Sequence, residues 1–171
     1  MATLIVFYSR TGTTRALVKS LAADLGADVE ELRCQRSWNG RWGFIRGCYE
    51  SWRGNLPEIE PLLHVLSHYD TVVIAGPIWV SNASTPLRAF LQQQRALLPR
   101  VAFLLAHGGS GAEQSLRELE RISGQVPIAA LVLKESDVKQ NLYSASLSAF
   151  AKKLRFPERI GHQAPARAAE F

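Results

Sequence analysis

Thr3 to Tyr8 is a continuous apolar run rather than an alternating one, which predicts a strand buried on both faces. After a polar turn, Leu17, Val18, Leu21 and Leu25 recur at helical spacing, so a helix is predicted from Thr13 to about Leu25, stopped by Gly26. Asp28 to Arg33 reads as a second, shorter strand. A helix is predicted from Pro57 to His68, with Pro57 in its first turn and Leu62, Leu63 and Leu66 as its apolar positions. Thr71 to Ala75 reads as a third strand, ended by Gly76-Pro77. The next helix runs from Pro86 to about Leu97, with Ser84 and Thr85 as N-cap candidates and Leu87, Phe90 and Leu91 inward. Val101 to Ala106 is a fourth strand, followed by a tight turn at Gly108-Gly109-Ser110-Gly111 and a helix from Glu113 to Ile122. Ile128 to Leu133 is a fifth strand, and Val138 to Leu154 a closing helix with Leu142, Leu147 and Phe150 toward the sheet.

This alternation implies an α/β domain: a five-stranded parallel sheet with helices on both faces, joined by right-handed crossovers. One domain is expected over residues 1–155, followed by a loose tail over 156–171 that holds Pro157, Gly161 and Pro165. Within the domain, residues 35–55 read as an insertion, with three of the four tryptophans and four of the twelve glycines. There Trp38, Trp42, Tyr49 and Trp52 are interleaved with Arg36, Arg41, Arg46 and Arg53.

A length of 171 residues, 47% hydrophobic and 20% charged, is that of an ordinary single-core globular protein. No apolar run approaches the roughly 20 residues of a membrane span, and the N-terminus carries no secretion signal, so a cytoplasmic protein is expected. Cys34 and Cys48 are too far apart for a C-x-x-C motif. His64, His68, His107 and His162 have no metal-ligand spacing, so reduced thiols and no metal are expected. The formal net charge of +5 comes from basic residues scattered along the chain, which argues against nucleic acid as the partner.

In an open parallel sheet, ligands bind beyond the carboxyl ends of the strands where the strand order reverses. That rule selects three turns. Ser9-Arg10-Thr11-Gly12-Thr13-Thr14 puts hydroxyls and unpaired N–H groups at a helix start, which suits a phosphate. It lacks the lysine of a G-x-x-x-x-G-K-[ST] loop, which argues against triphosphate hydrolysis. Pro77-Ile78-Trp79-Val80-Ser81-Asn82 sets an aromatic beside backbone amides, so that a planar ring could stack on Trp79; the competing reading of Trp79 is a hydrophobic anchor. The glycines of His107-Gly108-Gly109-Ser110-Gly111 let the backbone approach a ligand.

On these residues the chain resembles the flavodoxin family, over roughly Thr3 to Phe150. Ser9 to Thr14 is similar to the family's T/S-x-T-G-x-T phosphate loop, Gly76-Pro77-Ile78-Trp79 with Pro86 to Leu91 to its second flavin loop, and His107 to Gly111 to its third. The resemblance implies a flavodoxin-like three-layer sandwich with strand order 2-1-3-4-5 and non-covalent FMN. The phosphate would lie on Ser9, Arg10, Thr11, Gly12, Thr13 and Thr14. The ring would be bounded by Pro77, Ile78, Trp79, Val80, Ser81 and Asn82 and by His107, Gly108, Gly109 and Gly111. The chain departs from the family's acidic electron carriers in being basic and in lacking the usual stacking tyrosine of the third loop, so partner identity does not carry over.

The flavin would carry the chemistry, with no obligatory acid or base and His107 as the one candidate proton donor. The expected activity is transfer of electrons or hydride, by an NAD(P)H-dependent quinone-reductase type of enzyme or by a carrier that serves a redox partner protein. Residues 35–55 would form either a lid over the flavin or a contact with another subunit, so a homodimer is one expected assembly. Two other classes compete: a cofactor-free binding module on the same fold, and a serine hydrolase with Ser110 on a G-x-S-x-G-like turn and Asp137 and His162 as partners. The phosphate-type loop argues against the first, and His162, in the expected tail, against the second.

Overall fold

A computed structural model describes residues 1–34 and 56–157; the aromatic and Arg-rich segment 35–55, with Cys48, and the tail from residue 158, with His162, lie outside the described residues. The elements are β1 (Thr3–Phe7), α1 (Thr13–Leu25), β2 (Asp28–Glu31), β3 (Thr71–Trp79), β4 (Asn82–Ala83), α2 (Thr85–Gln94), β5 (Arg100–His107), α3 (Ala112–Ser123), β6 (Ala130–Lys134), α4 (Glu135–Lys139) and α5 (Ser144–Arg155). Single 3-10 turns lie at Leu66–His68 and Arg95–Leu97.

The main strands pair in parallel in the order β2-β1-β3-β5-β6, and β4 pairs antiparallel with β3. Counted without the short β4, this is the 2-1-3-4-5 order. The chain leaves β1 for β2 on one side and returns to β3 on the other, so the reversal lies between β1 and β3.

Because successive strand residues point to opposite faces, the consecutive apolar runs feed two cores. Leu4, Val6, Val72, Ile74, Val101, Phe103 and Leu105 pack with Leu87, Phe90 and Leu91 of α2 and Leu119 of α3. Ile5, Phe7, Val73, Ala75, Ala102 and Leu104 pack with Leu17, Val18 and Leu21 of α1 and Leu147, Phe150 and Leu154 of α5. At Gly76 the approach of α2 is close: a Cβ there would stand 2.5 Å from Leu87 Cδ1.

The helix expected over Pro57–His68 is absent. An extended segment takes its place, with a bridge from Ile59 to Cys34 and a 3-10 turn beginning only at Leu66. Pro61 would fall four residues after Pro57, where its ring opposes a helical hydrogen bond. A carboxylate also competes for the backbone: buried Glu30 of β2 accepts from the Leu63 N–H (2.9 Å), the His64 N–H (3.0 Å) and His64 Nδ1 (2.7 Å). Ile59, Leu62 and Leu66 still reach the core, while Leu63 is exposed.

Three other expectations are corrected. β3 does not stop at Gly76-Pro77 but runs to Trp79. Tyr8 donates to the Ala75 carbonyl, so Pro77, two residues on, turns toward the side where β1 has ended and no ladder donor is missed. Ser84 stands at the N-cap of α2, but its hydroxyl makes no capping bond; neither it nor the Thr85 hydroxyl has a partner among the described residues. The closing helix is two, broken at Asn141 (φ 57°), and Leu142 is exposed instead of facing the sheet.

Glu30→Ala removes the acceptor of three bonds and leaves two amides over the sheet unpaired. It should lower unfolding stability in urea by about 3 kcal/mol; a loss under about 1 kcal/mol would mean that the extended cover is held by its leucines alone.

Candidate functional site

At the carboxyl ends of β1, β3 and β5 lies a pocket of about 210 Å³, lined by Arg10, Thr11, Thr13, Thr14, Pro77, Ile78, Trp79, Gly108 and Glu135. It therefore draws on all three turns selected from the sequence. A larger hollow of about 360 Å³ runs along β2 between Glu30, Leu32 and Leu62, beside the end of the described residues at Cys34 and away from those strand ends.

The first turn opens α1. Ser9 Oγ accepts the Arg15 N–H (3.2 Å), so Ser9 caps the helix rather than lining the pocket. Thr13 and Thr14 begin the helix, where N–H groups have no intrahelical carbonyl. The Thr11 and Thr13 hydroxyls stand 3.3 Å apart. Gly12 has φ 91°, and a Cβ on it would meet nothing within 4 Å, so the loop is open above it. Arg15 pairs with Glu31 on the surface.

The second turn is the tip of a hairpin. Ile78 and Trp79 pair with Ala83 and Asn82, which leaves Val80 (φ 48°) and Ser81 (φ 62°) as a two-residue connection in the left-handed region. Left-handed backbone is costly for a β-branched valine. Trp79 is not the exposed platform expected of it. It is 5% exposed and meets Tyr8 edge-on, with centroids 5.6 Å apart at 88°, because the extension of β3 carries it into the core; only part of it reaches the pocket wall.

The third turn is divided. Gly108 lines the pocket, and neither Gly108 nor Gly109 has an atom within 4 Å of where a Cβ would stand. Gly111 (φ 90°) instead packs on the second turn, where a Cβ would be 2.4 Å from Ser81 Cα. Around it Ser115 Oγ donates to the Ser81 carbonyl (3.3 Å), Gln114 Nε2 donates to Asn82 Oδ1 (3.1 Å), and Glu118 accepts the Ala83 N–H (3.2 Å). Glu118 also pairs with Arg88 of α2 at 2.9 Å. Val80, Ser81, Asn82 and Gly111 thus build the wall and do not line the pocket. His107 ends β5 with Nδ1 buried and unpartnered among the described residues.

Sequence reasoning missed Glu135, which lines the pocket, and the contact of Tyr8 with Trp79 behind it. Burial pushes the Tyr8 hydroxyl up to about 12 from 10.0; Cys34 adds to the rise, Arg10 opposes it and Glu31 adds. Glu135 follows β6, whose end the reversal rule did not select. Cys34 is a free thiol pushed up to about 11, by burial and then by Glu60, and so is protonated at neutral pH. Ser110 is exposed and has no hydrogen bond to a histidine among the described residues, and His162 lies outside them. No helix among the described residues is long and apolar enough to cross a membrane.

The architecture is that of a flavodoxin-like α/β protein, and solved structures share it. A flavoprotein from Lactobacillus acidophilus, crystallised in complex with FMN, superimposes with a TM-score of 0.68 at 20% identity, over 81% of this chain and 97% of that one. A flavodoxin from Megasphaera elsdenii gives 0.54 at 18% identity, over 89% and 98%. An NADH:FMN oxidoreductase in its apo form gives 0.54 at 17% identity, over 99% and 100%. No family model and no curated protein matches the sequence.

Two outcomes follow. Replacing Val80-Ser81 with Asn-Gly, the pair that a left-handed hairpin turn favours, should raise stability by about 1 kcal/mol, read from the urea midpoint; an unchanged midpoint would remove strain from the account of this tip. Folded Tyr8 keeps its proton to about 12 where the unfolded chain loses it near 10.0, so stability present below pH 10 is lost as pH rises toward 12. Tyr8→Phe should flatten that alkaline decline, and an identical slope would assign it to other groups.

Proposed function

We propose that this chain is a flavodoxin-like redox protein that binds FMN non-covalently in the pocket at the ends of β1, β3 and β5 and transfers electrons or hydride through it. The observation that carries the reading is the convergence of Arg10, Thr11, Thr13 and Thr14 with Pro77, Ile78, Trp79 and Gly108 on one pocket at the strand reversal. The names of its structural neighbours support it: a flavoprotein with FMN, a flavodoxin and an NADH:FMN oxidoreductase.

The residues fit the group. Helix-start N–H groups, hydroxyls and a guanidinium are the donor set a phosphate needs. The space above Gly12, Gly108 and Gly109 admits a ligand close to the backbone. Thr11, Thr13, Thr14 and Arg10 would hold the phosphate, and Pro77, Ile78 and Gly108 would bound the ring. When bound, the flavin supplies redox chemistry that the side chains lack. NAD(P)H or a redox protein is the proposed donor, a quinone-type small molecule the proposed acceptor and the cytoplasm the proposed compartment; a homodimer is the assembly to test.

The purified protein should show a flavin absorption band or, if colourless, quench FMN fluorescence on titration and bind FMN more tightly than riboflavin. Thr11→Ala/Thr14→Ala should weaken FMN by roughly 100-fold or more while changing riboflavin little, since each lost hydrogen bond to a charged group is worth about 1.5–3 kcal/mol. Equal affinity of variant and parent for FMN would be evidence against this phosphate site.

A further inference from the structure

The pocket contains one group that a phosphate does not explain. Glu135, the first residue of α4, lines it together with Thr11, Thr13, Thr14 and Gly108, and no hydrogen bond or ion pair engages its side chain among the described residues. A carboxylate set beside an anion site opposes a phosphate, so its presence calls for a donor on the ligand. Ionised, it only accepts hydrogen bonds, whereas the threonine hydroxyls can donate or accept and Arg10 only donates. On the proposed FMN reading, the ligand offers donors in the hydroxyls of its ribityl chain, which must bridge the phosphate end of the pocket, at Thr11 to Thr14, and the ring end, at Pro77 to Trp79.

We propose that Glu135 is a specificity-determining residue of this site, its carboxylate accepting hydrogen bonds from the hydroxylated chain between phosphate and ring. The inference rests on the FMN reading and extends it: the pocket selects a flavin with a polyol chain, by a residue from β6 and α4 rather than from the three strand-end turns.

The test is fluorescence titration of FMN, riboflavin and lumiflavin, which lacks the polyol, against the parent, Glu135→Ala and Glu135→Gln. Glu135→Ala should weaken riboflavin roughly tenfold or more, and FMN by a smaller factor because the substitution also relieves the carboxylate's repulsion of the phosphate. Glu135→Gln, which keeps one acceptor oxygen, should lose less, and lumiflavin affinity should be unchanged in both variants. Tighter FMN binding with riboflavin unchanged would overturn the proposal, because the carboxylate would then act only as a like charge on the phosphate. An equal loss for lumiflavin would overturn it in favour of a purely structural role. A parent that binds none of the three would instead defeat the FMN reading, and this inference with it.

Discussion

With β1 on one side and β5 on the other, every residue of β3 from Thr71 to Pro77 is buried, and the helices on the two faces press on alternate side chains of the same strand. A strand so enclosed can present chemistry only at its end. The pocket proposed for the flavin is therefore confined to the carboxyl edge, where β1 stops at Phe7 while β3 continues to Trp79. The close fit of Gly76 against Leu87 ties the start of α2 to this edge, so the walls of the pocket inherit the rigidity of the core.

That continuation of β3 needs support beyond the sheet, and α3 supplies it. Glu118 takes the Ala83 amide on one oxygen and pairs with Arg88 on the other, both side chains being nearly buried. An ion pair so enclosed is not a strong source of net stability, yet losing one partner is costly, which makes it an effective pin for geometry. Gly111, without a Cβ, lets α3 begin in contact with Ser81. The second and third turns are thus one unit, held against each other, while the first turn belongs to α1.

The parts legible in the sequence are those that consecutive residues encode. Thr3–Tyr8 and Val101–Ala106 read as doubly buried strands because each position is apolar, and Gly26 marks the end of α1 by its left-handed conformation (φ 62°). Contacts distant along the chain were not legible. The leucine spacing at 62, 63 and 66 satisfies a helix, but Pro61 and the reach of Glu30 from β2 decide otherwise. Gly76-Pro77 is ordinarily punctuation, and only the early end of β1 makes Pro77 harmless in a strand. In the site, the first turn was readable as a helix start. The division of labour within the other turns was not, since Gly111 and Gly108 look alike until the position of Ser81 is known.

The burial of Trp79 changes how a planar ligand must be held. Its edge-on contact with Tyr8 commits most of its area to the core, so the ring end of the pocket is bounded by Pro77, Ile78, part of Trp79 and the open backbone at Gly108. Backbone amides and carbonyls have fixed dipoles, whereas an aromatic platform contributes dispersion with little directional preference. On the FMN reading, the ring environment here is therefore set more by main-chain groups near β5 than by stacking. At the other end, Ser9 caps α1 and Arg15 pairs with Glu31, whereas Arg10 and the threonines line the pocket, with Glu135 the one carboxylate beside them among the described residues.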